Sequence, residues 1–209
     1  MLATVTKSVI AATTFSLLGI GSLGFCDRAH AIGLNFSTFD VGGDATLDSP
    51  LQATIRSGSL STLITDGGVG SLQEFLGLPA GAFDTLFPNN TFGSAIKKTV
   101  SGTVGDSFTF DFNFTQDTSS SPSGLDTAFV TINNDVFSLA TATSTGKYTY
   151  TFTATGDINL GIGVLDIDDD LGASTLVVAV PFEFEATGGL LMLGGFFLGK
   201  HYLRKSKEK

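Results

Sequence analysis

Residues 107–114 read Ser-Phe-Thr-Phe-Asp-Phe-Asn-Phe, and this octet constrains the fold more than any other stretch of the chain. Phe108, Phe110, Phe112 and Phe114 fall on one side of an extended backbone, with Thr109, Asp111 and Asn113 on the other. A period of two does not fit a helix, whose faces repeat every 3.6 residues; it describes a strand with one face buried and one in water. The pattern returns at Tyr148, Tyr150 and Phe152, and again at Ile158, Leu160, Ile162 and Val164. Gly105-Asp106, Asn133-Asn134-Asp135 and Gly156-Asp157 punctuate these runs as turns. Shorter apolar stretches at 128–132, 136–140 and 175–180 add further strands. The chain is therefore predicted to be all-β over residues 32–180, an antiparallel two-sheet sandwich, jelly-roll-like, with the aromatic stripes as its core.

One helical insertion interrupts the strands. Ser71-Leu72-Gln73-Glu74 has the form of a capping box, in which a Ser side chain and a Glu three residues later satisfy the first free backbone N–H groups. Phe75 and Leu76 supply the apolar side, and Leu78-Pro79 ends the helix. A second short turn is expected over 80–87, and the whole island is expected to close one end of the sandwich. Residues 118–124 (TSSSPSG) read as a polar loop.

Charge is unevenly placed. Residues 32–180 hold four basic residues, Arg56, Lys97, Lys98 and Lys147, against sixteen acidic ones, a net charge of −12. Such a surface repels phosphate backbones and excludes nucleic acid as a natural partner. Fifteen of the sixteen acids are Asp, the residue of turns, and Glu74 is the one Glu. The only cysteine, Cys26, and both histidines, His30 and His201, lie outside this region, which also lacks Trp. That removes Cys- and His-based nucleophiles and zinc sites with His or Cys ligands.

The two ends read as addresses. Residues 1–31 have the form of a secretory signal peptide: Lys7 in a positive start, an uncharged and largely apolar run over 9–25, and Ala29-His30-Ala31 as the small-residue cleavage pattern, with Ile32 as the new N-terminus. An uncleaved anchor and lipidation at Cys26 are the alternatives; the polar Cys26-Asp27-Arg28 weighs against the first and bulky Phe25 against the second. At the other end, residues 186–199 carry no charge and run into Lys200, Arg204, Lys205 and Lys207. Extended to Leu203 the segment has eighteen residues, about 27 Å as a helix, against a hydrocarbon core of about 30 Å. A transmembrane helix over 186–203 is expected, with Lys200 reaching the headgroups and the basic tail in the cytoplasm. A buried helix of a soluble core is the alternative, disfavoured by the five glycines in 186–199.

Val180-Pro181-Phe182-Glu183-Phe184, the Gly-rich apolar stretch and Arg204-Lys205 together resemble a PEP-CTERM sorting tail of the cyanobacterial PFE variant. The resemblance implies that Pro181, Phe182 and Glu183 form the sorting motif, that residues 181–209 form the sorting segment, and that an exosortase-type membrane enzyme is a partner. Leu76-Gly77-Leu78-Pro79 with Gly81, Gly93-Ser94-Ala95-Ile96, Gly105-Asp106 and Gly161-Ile162-Gly163-Val164-Leu165-Asp166 resemble the sandwich ectodomain common in that group. This second resemblance implies placement in the envelope rather than any activity.

Two constellations carry candidate chemistry. Asp166, Asp168 and Asp170 alternate as D-x-D-x-D, which can present carboxylates to calcium. An EF-hand would need Gly and Glu where Leu171 and Val177 stand, so the alternatives are another type of calcium site or a solvated turn. Asp111, Asp126 and Asp166 are candidates for a carboxylate pair of the kind glycoside hydrolysis requires. With a single Glu and neither Trp nor His in the domain, the reading is a non-enzymatic module that binds envelope or extracellular-matrix material, with polysaccharide as the leading ligand class. A purely structural envelope protein is the competing reading, and a hydrolase the distant third.

Overall fold

The computed structural model describes residues 29–58, 62–65, 68–84, 86–118, 126–167 and 173–181. Residues 1–28 of the expected signal peptide, Phe182, Glu183, the helix expected at 186–203 and the basic tail lie outside the described residues. No described helix is long and apolar enough to cross a membrane.

Among the described residues, eleven strands form two antiparallel sheets. In chain order they are β1 (Asp40–Gly42), β2 (Ala45–Ser49), β3 (Gln52–Arg56), β4 (Leu63–Ile64), β5 (Asn90–Gly102), β6 (Ser107–Thr115), β7 (Thr127–Ile132), β8 (Asp135–Ala140), β9 (Ser144–Thr151), β10 (Gly156–Ile167) and β11 (Thr175–Ala179). One sheet runs β1-β5-β10-β7-β8, with β4 also paired to β5; the other runs β2-β3-β11-β6-β9. From β5 onward every connection except β7–β8 crosses between sheets.

The alternating stripes face inward as their period requires. Phe108, Phe110 and Phe114 of β6 meet Ile158, Leu160, Ile162 and Val164 of β10 across the gap, with Val130 of β7 and Leu176 and Val178 of β11 filling between them. Each such side chain contributes about 1.5–3 kcal/mol by leaving water. Phe112 shares their parity but is only partly buried: its partner on edge strand β9 is Gly146, which has no side chain to cover the ring, whereas Tyr150 and Tyr148 stack on Phe108 and Phe110. Outward residues of the same sheet stay wet: Asp111 makes an exposed ion pair with Lys147 across β9 at 3.7 Å.

The capping box folds as expected, with one difference. Helix α1 (Leu72–Leu76) is capped by Ser71, whose Oγ accepts from the Glu74 N–H at 3.2 Å. The Glu74 carboxylate reaches past the cap residue and accepts from the Gly70 N–H instead. Gly77 ends the helix with φ of 74°, a left-handed conformation that costs glycine little, and its N–H closes on the Gln73 and Glu74 carbonyls. Removing the cap in Ser71→Ala is expected to cost about 1 kcal/mol in urea unfolding; an unchanged midpoint would show that the helix does not depend on it.

The island's position differs from expectation. It does not close an end of the sandwich but lies on the outer face of the six-stranded sheet as a third layer. Leu72, Leu76, Leu78, Phe83 and Phe87 pack there against Ala95 of β5, Phe129 of β7 and Leu165 of β10. Phe83 meets Phe129 edge-on, with ring centroids 5.0 Å apart. The middle of this sheet is therefore buried on both faces. Lys97 fixes the helix's last turn, donating to the Phe75 carbonyl with its amine 4.5 Å from the Phe75 ring centroid.

Candidate functional site: a buried polar layer at one end of the sandwich

At one end of the barrel of side chains the core changes character. Along each of five strands the inward positions run apolar and then turn polar: Ala53, Ile55, Ser57 on β3 and beyond; Phe114, Gln116 after β6; Asp126, Ala128 into β7; Val164, Asp166 on β10; Ser174, Leu176 into β11. All five polar residues are buried, Asp166 at 2% and Asp126 at 8% exposure. The register explains why they share a layer. Leu165 pairs with Thr127, so one step further brings Asp166 opposite Asp126; Thr175 pairs with Thr115, so Ser174 comes opposite Gln116.

Hydrogen bonds join the two sheets through this layer. Ser57 Oγ donates to Asp126 Oδ2 at 2.5 Å, and the Ser174 N–H donates to Ser57 Oγ at 3.0 Å. The Ile167 N–H approaches Asp126 Oδ1 at 3.4 Å. On the other side of Ser174, its Oγ accepts from the Asp117 N–H at 2.9 Å, and Asp117 Oδ2 accepts from the Ala173 N–H at 3.0 Å. Gln116 Nε2 is buried here without a hydrogen-bond partner. A buried carboxylate is tolerated only where donors compensate its lost hydration, and Ser57 supplies the shortest of these bonds. Ser57→Ala is expected to destabilise the domain by about 2 kcal/mol, the cost of leaving a buried carboxyl oxygen short of a donor. A urea midpoint unchanged from wild type would refute that role for Ser57.

The arrangement sorts the sequence candidates. Asp166 belongs to this layer, and Asp168 and Asp170 lie outside the described residues. Among the described residues, no three Asp, Glu, His or Cys side chains converge where a metal ion could be held. Asp126 and Asp166 occupy neighbouring strands inside the sandwich, whereas Asp111 faces solvent on the outside of the opposite sheet, so the three are not gathered into one carboxylate site. Of the predicted cleavage residues, Ala29 and Ala31 are described: Ala31 bridges to Ser107 at the start of β6. Pro181 directly follows the last strand, one residue after Val180, whose N–H donates to the Leu51 carbonyl at 2.9 Å.

Ser57, Gln116 and Ser174 were not singled out from sequence. Their signal is the continuation of the period-two stripe by one polar residue at the same end of each strand, visible only when strands are compared with one another. The layer also holds described residues on either side of two stretches that lie outside the described residues, 119–125 between β6 and β7 and 168–172 between β10 and β11; between them these carry four serines and three aspartates. No protein-family model matches the chain, and no curated protein matches it either.

Proposed function

We propose that this chain is an exported envelope protein whose sandwich binds extracellular or envelope polysaccharide, without catalysis, through the loops at its polar end. The observation that carries the reading is the Asp126–Ser57–Ser174–Asp117 network. It ties to the core the residues that flank a Ser-rich stretch, 119–125, and an acidic one, 168–172, which is how a scaffold presents a recognition surface. The strand order, in which from β5 onward every connection but the β7–β8 hairpin crosses between sheets, supports the jelly-roll reading, an architecture that displays loops at its ends. The absence of Cys, His and Trp from 32–180 supports a binding role over a catalytic one.

The address is proposed with the function. Residues 1–31 direct export, and residues 181–209 hold the domain at the membrane or present Pro181, Phe182 and Glu183 to an exosortase-type enzyme. Asp166, Asp168 and Asp170 are the residues through which calcium would act on the 168–172 loop. The test is a pull-down of the exported protein on polysaccharide from its own envelope, with calcium and with chelator. Saturable binding weakened at least tenfold by Asp168→Asn with Asp170→Asn is expected. Binding that ignores the chelator removes calcium from the account. No binding in either condition overturns the polysaccharide reading in favour of a purely structural envelope protein.

A further inference from the structure

Asp106 sits at the turn before β6, with both of its carboxylate oxygens engaged. Its Oδ2 accepts from the Thr103 N–H and Oγ1, each at 2.8 Å, and its Oδ1 accepts from the His30 N–H, also at 2.8 Å. It is 7% exposed, and no basic side chain bonds it among the described residues. The segment that supplies His30 is held against the start of β6 by two more bonds: the Ser107 N–H donates to the His30 carbonyl at 3.0 Å, and the Ile32 N–H to the Ser107 carbonyl at 2.7 Å. The Ile32 side chain packs against the main core. The backbone N–H of His30, then that of Thr103 and its hydroxyl, hold the Asp106 carboxyl below the usual carboxylate range.

This corner contains the predicted cleavage point. Hydrolysis of the Ala31–Ile32 peptide bond adds one water, leaving a carboxylate on Ala31 and an ammonium on Ile32. It removes His30, and with it the partner of Asp106 Oδ1 and of the Ser107 N–H. The new ammonium keeps the Ser107 carbonyl as a partner and gains two further N–H donors. It lies two residues from the lost His30 N–H, roughly 7 Å along an extended strand, so it pairs with Asp106 by the freed Oδ1 turning toward it. We propose that in the processed protein the α-ammonium of Ile32 replaces His30 as the partner of Asp106, so that export cleavage itself completes this corner of the sandwich with an ion pair. The inference rests on the reading of residues 1–31 as a cleaved signal. The titratable group that acts on Asp106 at this corner is the His30 imidazole, which leaves with the signal.

The experiment has two stages on the exported protein. Terminal sequencing establishes where the chain begins. An NMR titration then reads the Ile32 α-amine in folded protein, in urea-unfolded protein and in Asp106→Asn. A neighbouring carboxylate favours the charged amine, so its pKa is expected to rise in the folded wild type by about one unit above the ordinary ~8 seen unfolded, and to fall back in Asp106→Asn. A start other than Ile32 overturns the processing reading and the ion pair together. A start at Ile32 with the same pKa folded and unfolded overturns the ion pair alone, and that comparison needs no variant to fold.

Discussion

Gly163→Ala is expected to destabilise the domain by about 3 kcal/mol, at the upper end of what inserting one methyl into a packed site costs. Gly163 lies on the outward side of β10, beneath the helical island, where a Cβ would sit 2.5 Å from the Phe129 ring and 2.5 Å from the Ser94 carbonyl oxygen on β5. The ring could turn aside, but the carbonyl belongs to the hydrogen-bonded neighbour strand and can yield only if β5 and β10 separate. Those strands run paired from Gly156 to Ile167, the longest ladder among the described residues. Against this stands the entropy that alanine removes from the unfolded chain, worth about 0.4–1 kcal/mol in the opposite sense, so the clash dominates. Gly33→Ala is the control, since a Cβ there meets nothing within 4 Å. Equilibrium urea unfolding compares the two variants. Equal midpoints would mean that the third layer is not packed as tightly as the structure has it.

The same glycine shows why some of the fold was legible and some was not. The stripes at 107–114 and 147–154 gave β6 and β9 because each strand has one face open to water, and burial then writes itself into a two-residue period. Strand β10 is buried on both faces from Leu160 to Asp166, and its stripe at 158–164 stands out because the outward positions there hold Gly161 and Gly163. Strand β5, thirteen residues long and central, went unread. Its middle, Gly93-Ser94-Ala95-Ile96, is buried on both faces, by the sandwich core on one side and α1 on the other, so small and apolar residues follow one another without alternation. Its Lys97 and Lys98 look like solvated surface, yet both amines return to the protein, at the Phe75 carbonyl and Thr38 Oγ1. Strands β1 to β4 were missed for a simpler reason: none exceeds five residues, too short for a period to declare itself.

The helix was found by its cap, a local signal, but its place against β5, β7 and β10 depends on contacts between distant residues, to which a cap is blind. The candidate site divides likewise. Asp166 was visible as part of an acidic run, while its burial opposite Asp126 depends on the β7–β10 register. Ser57 and Ser174 entered the site only through strands that bring residues 117 positions apart into hydrogen-bond contact.

Phe110→Ala is expected to have the largest effect of any single substitution discussed, a loss of about 4 kcal/mol. The stripe at 107–114 presents four phenylalanines as equivalent, and the structure separates them. Phe110 is fully buried at the centre of the sandwich, its ring stacked on Tyr148 with centroids 5.3 Å apart. Truncation there removes a ring's worth of dispersion contacts and leaves a cavity walled by both sheets, whose paired strands cannot collapse into it. Phe112, two residues on, leans over Gly146 toward the edge of its sheet and is partly solvated, so Phe112→Ala should cost about half as much or less, the cost falling where a site can relax or was never fully dry. Tyr148 gives the experiment a second readout. Burial, with Tyr150 beside it, raises its phenol above the ordinary value of 10.0. The stability linked to that shift is complete below the unfolded pKa and is lost as pH rises through the folded one. Opening a cavity beside Tyr148 admits water, so its titration should move back toward the ordinary value in Phe110→Ala and stay raised in Phe112→Ala. If the two variants unfold at the same urea concentration, the inward stripe is uniform and the graded packing described for β6 is wrong.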